Sequence, residues 1–267
     1  MRKNILLRGL FTLFSIAPLT TSPIVAPAQQ STPAPASATG ALSQMAASFS
    51  GGQIVGQVQL TGTATWTLGS LQDSGTVTLT ASSSGSSQMQ LNLASTGQRT
   101  ETQTGAGSSA MCQWAGPDGI GHQISANNCW RSALWFLPPV SLQPSLLAAN
   151  VGIVDLGEST VGSGSSIYRH LQSTLISSEL PTGSPTSPAG TLSAQSTEDF
   201  GLDPNSFLPA VLTYSILPDS GSSIPIVVEV HFSNYQTVNG VQVPFLIQRY
   251  MNGSLQLVIT INSVQIN

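Results

Sequence analysis

The last forty or so residues constrain the fold of this chain more than any other part. Residues 226–232, 241–251 and 254–267 each alternate apolar and polar side chains, which is the period of a half-buried strand. Asn-Gly pairs at 239–240 and 252–253 separate the three stretches, and Asn-Gly is the strongest short hairpin signal. The pattern predicts an antiparallel meander with one apolar and one polar face.

The two faces of this meander differ in kind. The polar face carries Glu229, His231, Gln248 and Tyr250. The apolar face takes the aliphatic and aromatic positions of all three strands, which are Ile226, Val228, Val230, Phe232, Val241, Val243, Phe245, Ile247, Leu255, Leu257, Ile259 and Ile261. Residues 254–267 contain no charged side chain, and an open edge of that kind invites pairing with other chains. We therefore expect the last strand to lie inside the sheet or to be covered.

Further strands are predicted upstream. Residues 54–68 form the longest alternating run, and Gly56 and Gly62 within it favour strong bending or a barrel corner. Turn signals then divide residues 76–103 into three more strands, which predicts an up-and-down meander. Four later stretches are also predicted to be strands, at 151–161, 165–177, 198–203 and 208–217.

Three helices are predicted. An apolar stripe over residues 41–49, with Thr39 as its cap and a Gly-Gly pair after it, indicates a short helix packed on the sheet. Asn128 could cap a second helix over 129–137, stopped by two prolines, and a third is predicted over 144–149. The last two carry the densest apolar cluster of the chain, which includes three aromatic residues.

The first 28 residues have the anatomy of a secretory signal peptide. Three positive residues precede a short apolar run, and Ala26-Pro27-Ala28 is a small-residue cleavage pattern. Residues 29–38 then predict a disordered Pro/Ala/Ser linker, and 39–267 a single domain. The apolar run is too short for a membrane span. We expect no span after cleavage, and a periplasmic or extracellular location.

The charge balance narrows the range of partners. Three of the 7 Lys and Arg residues lie in the predicted signal, which leaves four arginines against 11 acidic residues. Nucleic acids and anionic lipid surfaces are bound through clusters of cations. Neither partner is expected, and no cofactor is indicated.

Cys112 and Cys129 are the two cysteines of the chain. An even count in an exported protein favours a disulfide, and a metal site or a reactive thiol is the alternative. No Cys-x-x-Cys or nearby second pair of ligands supports a metal. We therefore predict a structural bridge and no metal site.

The closing stretch carries a family resemblance. Residues 228–253 read VEVHFSNYQTVNGVQVPFLIQRYMNG, and LVITINSVQIN completes the chain. This order of strand, aromatic-bearing turn, Val-Pro strand, Asn-Gly turn and final strand resembles the outer-membrane lipoprotein carrier superfamily, the LolA/LolB-like proteins. Residues 202–216 look like the preceding strand pair of that superfamily.

The resemblance implies a mainly β (α+β) fold. A strongly bent antiparallel sheet would form an incomplete barrel, with short helices covering its concave face. Carrier members hold acyl chains between the sheet and these helices. Residues 111–150 would be the covering element in this chain.

The first functional hypothesis is that the concave face binds an apolar ligand, such as an acyl chain or the lipid of a lipidated protein. The candidates lie on the strands and on the covering helix, and are Val58, Leu60, Trp66, Met89, Leu91, Trp130, Trp135 and Phe136. The alternative is that these side chains fill one another's space as ordinary core.

The second hypothesis, an enzyme, has less support. Neither a Gly-x-Ser-x-Gly elbow nor a His-Glu-x-x-His motif occurs. Glu229 and His231 share a strand face and could form an acid–base pair, although a solvent-facing polar pair on an exposed sheet is the preferred interpretation. Glu198, Asp199 and Asp203 could bind Ca²⁺, although acidic residues at turns are commonly just solvated. We predict a non-enzymatic protein.

The third hypothesis is a non-enzymatic envelope module that binds proteins or glycans and has a filled core. Its marker would be an exposed aromatic patch, for which Tyr168, Tyr214, Tyr235 and Tyr250 are the candidates.

Overall fold

The computed structural model describes residues 38–105, 110–124, 126–129, 135–142, 151–175, 196–217 and 224–267. The predicted signal peptide, residues 29–37 of the predicted linker, the helix predicted over 144–149 and Trp130 lie outside these residues. Ala38, which the linker prediction included, is the first residue of a helix.

The described chain is mostly strand. Its helices are α1 (Ala38–Ser50), α2 (Ala126–Cys129) and α3 (Pro138–Ser141). Its strands, in chain order, are β1 (Gln57–Leu68), β2 (Leu71–Ser82), β3 (Ser87–Leu93), β4 (Gly97–Thr104), β5 (Met111–Ala115), β6 (Gly121–Gln123), β7 (Val151–Thr160), β8 (Ile167–Leu175), β9 (Glu198–Leu202), β10 (Pro209–Ile216), β11 (Ile226–Val238), β12 (Val241–Met251) and β13 (Ser254–Ile266).

These strands form one antiparallel sheet of 13 strands in the order β6-β5-β4-β3-β2-β1-β13-β12-β11-β10-β9-β8-β7. Every neighbour is consecutive in sequence except β1 and β13, which join the two halves of the chain. The sheet does not close, and its edges are β6 and β7. The predicted mainly β fold is confirmed, as is the interior position of the uncharged last strand.

The closing meander forms as its turns predict. Asn239 and Gly240 have φ angles of 49° and 82°, and Asn252 and Gly253 have 47° and 76°. Two successive left-handed residues define the type I′ turn, whose twist matches that of the flanking strands. The turns place the predicted apolar positions on one face except Leu255, which a register shift pairs with Tyr250 of the polar face and which is 38% exposed.

The concave face of the sheet is covered by helices, as predicted. The α1 helix lies against β12, β7 and α3, and α3 lies against β2. Ala41, Leu42, Met45 and Phe49 supply the buried stripe of α1, and they share one core with the inward residues of the sheet. Gly51 and Gly52, both at positive φ, end the helix.

The helix predicted over 129–137 is wrong at its end and displaced at its start, although Cys129 is helical. Residues 126–129 are helical, residues 135–136 form a turn, and Pro138 and Pro139 begin α3 instead of stopping a helix. Proline is favoured in the first helical turn because its missing N–H would have no partner there. Residues 111–115 and 121–123 also differ from the prediction, because they extend the sheet as β5 and β6 and do not cover it.

A short strut spans the concave face at one end of the sheet. Cys112 on β5 forms a disulfide with Cys129 of α2, with the two Cα atoms 5.2 Å apart. Asn128 forms two hydrogen bonds with the backbone of Leu217, which directly follows β10: its Nδ2 donates to the carbonyl at 2.8 Å, and its Oδ1 accepts from the N–H at 3.2 Å. Since β5 and β10 lie on opposite sides of the β1–β13 pair, this strut requires a strongly curved sheet.

No helix in the described ranges is both long enough and apolar enough to cross a membrane.

Candidate functional site

A cavity of about 240 Å³ lies beside the strut, inside the curve of the sheet. Its walls come from β1, β4 and β5 on one side and from β10 to β13 on the other, and Asn128 and Trp135 also line it. Three tryptophans, Trp66, Trp114 and Trp135, meet there with two arginines, Arg99 and Arg249. We call it the arginine cavity. Its volume far exceeds the roughly 10–15 Å³ that one water requires.

Arg99 lies between two aromatic rings in this cavity. Its Cζ is 4.7 Å from the centre of the Trp66 ring and 5.0 Å from that of Trp114. The Trp114 ring in turn stacks on His122, with centroids 4.3 Å apart. Glu101 is the ionic neighbour of Arg99, at 3.8 Å from Nε, which is longer than a hydrogen bond. Burial lowers the pKa of Arg99, Glu101 raises it, and Arg249 lowers it further.

Arg249 is the more deeply placed of the two arginines. It follows Ile247 by two positions on β12, so it points to the apolar face, and it is only 6% exposed. Its Cζ lies 4.7 Å from the centre of the Trp135 ring. Within the described residues, its buried Nε has no hydrogen-bond partner.

A second depression, of about 160 Å³, adjoins the arginine cavity. Trp66, Leu68, Leu71, Leu93 and Pro117 give it a largely apolar wall, and we call it the apolar depression. Trp66 and Arg99 line both spaces. Leu68 and Leu71, at the tip of the β1–β2 hairpin, are 65% and 51% exposed.

The predicted ligand-binding residues divide into two groups. Trp66 and Trp135 line the arginine cavity. The others with described positions are buried in the common core and line neither space, and they are Val58, Leu60, Met89, Leu91 and Phe136. Their role in binding stays a prediction.

Sequence reasoning missed both arginines. The signal for Arg249 was present, because alternation from Ile247 puts position 249 on the apolar face of β12. No comparable signal marks Arg99, whose strand reads GQRTETQT and is polar on both faces.

Only the glutamate of the Glu229–His231 pair is withdrawn from solvent, since the His231 side chain is 37% exposed. Glu229 is 8% exposed, its Oε1 lies 2.5 Å from His231 Nε2, and its Oε2 accepts a hydrogen bond from the Ser163 N–H at 2.8 Å. Burial raises the pKa of the Glu229 carboxyl, but the bonds from His231 and Ser163 and the charge of His231 outweigh it and leave the pKa lowered. The pair ties the β7–β8 turn to β11.

A Ser–His–Asp chain links β7, β8 and β9. Ser159 Oγ lies 2.8 Å from His170 Nδ1, and His170 Nε2 lies 2.8 Å from Asp199 Oδ1, which also accepts from Gln172. A hydrolytic serine requires, in addition, a substrate cavity and donors for an oxyanion. None of these four residues lines either space described above. The contacts present therefore account for a structural link between strands.

The predicted calcium ligands are not brought together. Glu198 is buried and bonded to Ser173, Asp199 contacts His170, and Asp203 accepts hydrogen bonds from its own turn. Alternation along β9 puts Glu198 and Asp199 on opposite faces. In the part of the chain that the structure describes, no group of three or more His, Cys, Asp or Glu side chains is placed to hold a metal ion.

The four candidate tyrosines do not form an exposed patch. All four are half-buried, Tyr214 lines the arginine cavity, and Tyr235 donates a hydrogen bond to the Pro209 carbonyl at 2.7 Å. Tyr250 packs edge-on against His231, with ring centroids 5.2 Å apart. The marker expected for an aromatic interaction surface is therefore not supplied by these residues.

An open, curved antiparallel sheet with helices on its concave face is a half-barrel architecture. Comparison with solved structures finds the same fold in a LolA superfamily protein from Nitrosomonas europaea, with a TM-score of 0.52 at 10% sequence identity over 87% of this chain and 94% of that one. A DUF1329 family protein from Desulfovibrio piger gives 0.53 at 9% identity, over 86% and 93%. No family model and no curated protein matches the sequence. The predicted LolA-like resemblance is thus confirmed at the level of the fold.

Proposed function

We propose that this chain is an exported envelope protein that binds an apolar ligand, such as an acyl chain, at the open end of its half-barrel. The observation that carries the proposal is the apolar depression with Leu68 and Leu71 exposed at its rim. Large apolar side chains that surround a concavity are typical of a binding site, whereas isolated ones need no explanation.

The N-terminal sequence and the Cys112–Cys129 disulfide support the export and the periplasmic or extracellular location. The superfamily resemblance supports a carrier role over catalysis. Binding, not turnover, is therefore the activity to test.

The test is titration of the purified protein with the neutral fluorescent probe N-phenyl-1-naphthylamine. We expect saturable binding that Leu68→Gln weakens, because the substitution puts a polar group in the wall of the depression. Ile167→Gln is the matched control, since Ile167 is a 53% exposed side chain on β8 that lines neither space. Absence of saturable binding by the unaltered protein would remove the proposal.

A protein-interaction role is the second candidate. Val154 and Leu156 on the edge strand β7 are 53% and 48% exposed, and an open edge with apolar side chains favours pairing with another strand. A partner captured through this edge should be released by Leu156→Lys and not by Leu68→Gln.

A further inference from the structure

We propose that the ligand is an anionic amphiphile whose carboxylate or phosphate group binds between Arg99 and Arg249, while its apolar chain occupies the apolar depression. This inference rests on the proposed function and specifies the chemistry of the ligand. Four arginines lie outside the predicted signal peptide, and two of them, Arg99 and Arg249, line the same cavity.

The first observation is the burial of the Arg249 side chain. It is more than nine-tenths buried, and its Nε is without a hydrogen-bond partner among the described residues. A buried cation is costly unless it is paired and hydrogen-bonded. The Trp135 ring offers cation–π attraction at 4.7 Å, but a ring does not replace an in-plane acceptor for the N–H donors.

The second observation concerns the contacts of the Arg99 guanidinium group. Its buried Nε also has no hydrogen-bond partner within the described ranges, and its nearest carboxylate oxygen, on Glu101, is 3.8 Å away. Trp66 and Trp114 hold the guanidinium from two sides. The side chain is therefore positioned by its rings, with donors available for an acceptor in the cavity.

The charges in the cavity favour an anion. Arg99, Arg249 and Glu101 are the charged residues of its wall, so positive charge is in excess there although the mature chain as a whole is acidic. The two guanidinium groups are close enough for the charge of Arg249 to lower the pKa of Arg99, after the larger effect of burial. A carboxylate or phosphate between them would relieve this repulsion and accept bidentate hydrogen bonds.

The geometry also favours an amphiphile over a small anion. Trp66 and Arg99 form the boundary between the arginine cavity and the apolar depression. A charged head held at Arg99 can therefore continue directly into the space that Leu68, Leu71 and Leu93 surround. The exposed leucines at the hairpin tip provide the entrance for the chain.

The experiment compares ligands with one chain and different heads. Dodecanoate, dodecyl phosphate and dodecanol are used below their aggregation limits, at pH 8, to displace N-phenyl-1-naphthylamine. We expect one or both anions to bind at least about tenfold more tightly than the alcohol, as for a hydrogen bond to a charged group. Arg249→Gln should abolish that preference and leave dodecanol binding unchanged, and Arg249→Lys should retain part of it.

Two variants keep the test decisive. If Arg249→Gln fails to fold, Arg99→Gln takes its place as the test variant, because the Arg99 side chain is 34% exposed. The matched control is Arg169→Gln combined with Asp155→Asn, which removes a paired arginine on β8 together with its carboxylate. The control should keep the preference for anions.

The possible outcomes separate the two proposals. Equal binding of all three ligands, or a preference that survives both Arg249→Gln and Arg99→Gln, overturns the anionic head and leaves apolar binding in place. Failure of every ligand and of the probe to bind removes the proposed function itself. A preference for one anion only identifies the head group as a carboxylate or a phosphate.

Discussion

At the scale of single residues, polar groups in this fold are buried where they join strands that are distant in sequence. Glu229 on β11 accepts hydrogen bonds from Ser163, in the β7–β8 turn, and contacts His231. Gly162 passes so close that a Cβ there would lie 2.8 Å from the Glu229 carboxyl carbon. The ionised carboxylate, through its hydrogen bonds, thus holds a hairpin against the outer face of the sheet.

This arrangement predicts pH-dependent stability. The pKa of Glu229 in the folded protein is below the ordinary glutamate value of 4.5, so its contribution to stability is complete above that value and is lost as pH falls through the folded pKa. Glu229→Gln should lower the free energy of unfolding by about 1–2 kcal/mol at pH 7. The difference from the unaltered protein should shrink at pH 3, as measured by urea denaturation.

Glu158→Gln is the control for this prediction, since Glu158 is an exposed carboxylate on β7. It should alter stability little at either pH. An equal penalty for Glu229→Gln at pH 7 and pH 3 would contradict the assigned role of the charge.

At the scale of elements, the curvature of the sheet depends on glycines, because a residue without a side chain lets neighbouring strands approach closely. A bulge interrupts the pairing of β1 with β13 between Thr61 and Gly62. A Cβ on Gly62 would lie 2.0 Å from the carbonyl oxygen of Thr260 on β13. Backbone therefore occupies the space that a side chain would need, which allows the two strands to coil tightly around each other.

Gly62→Ala should accordingly destabilise the protein by about 3 kcal/mol or more, at or above the upper end for overpacking, because the obstructing atom is backbone. Gly164→Ala is the matched control, since no atom lies within 4 Å of its added Cβ. Urea midpoints of the two variants measure the effect. Equal midpoints for Gly62→Ala and the unaltered protein would show that the strands can separate here at little cost.

Much of this architecture was predictable because its pairings are local. Asn-Gly turns and alternation define hairpins directly, and all neighbours in the sheet but one are consecutive in sequence. The exception, β1 with β13, was predicted only indirectly, through the absence of charge in residues 254–267. The start of α3 was not predicted, because a pair of prolines is compatible with the end of one helix and with the beginning of another.

The site was less predictable for a physical reason. Arg99 and Arg249 line one cavity only when the sheet curves, and no local pattern encodes the approach of β4 to β12 across the concave face. Trp66 and Trp135, which line the cavity, were predicted as ligand-binding candidates from their apolar character and from their predicted places on the sheet and its helical cover. That character equally describes Leu60 and Leu91, which the structure buries in the core.

At the scale of the whole molecule, the strut fixes the distance between the two halves of the sheet, β1–β6 and β7–β13. The Cys112–Cys129 disulfide anchors it to β5, and the Asn128–Leu217 hydrogen bonds anchor it beyond β10. Removing the bridge with Cys112→Ser/Cys129→Ser should lower the free energy of unfolding by about 3 kcal/mol, as expected for closure of a loop with a sequence separation of 17.

If the strut works as one unit, its two anchors must be coupled. Asn128→Ala should cost about 2 kcal/mol while the bridge is intact, since it removes two hydrogen bonds, and clearly less once the bridge is gone. A cycle of the single, double and triple variants in urea denaturation measures this coupling. Additive costs would mean that the disulfide only stabilises its own loop, and the arginine cavity would then owe its shape to the sheet alone.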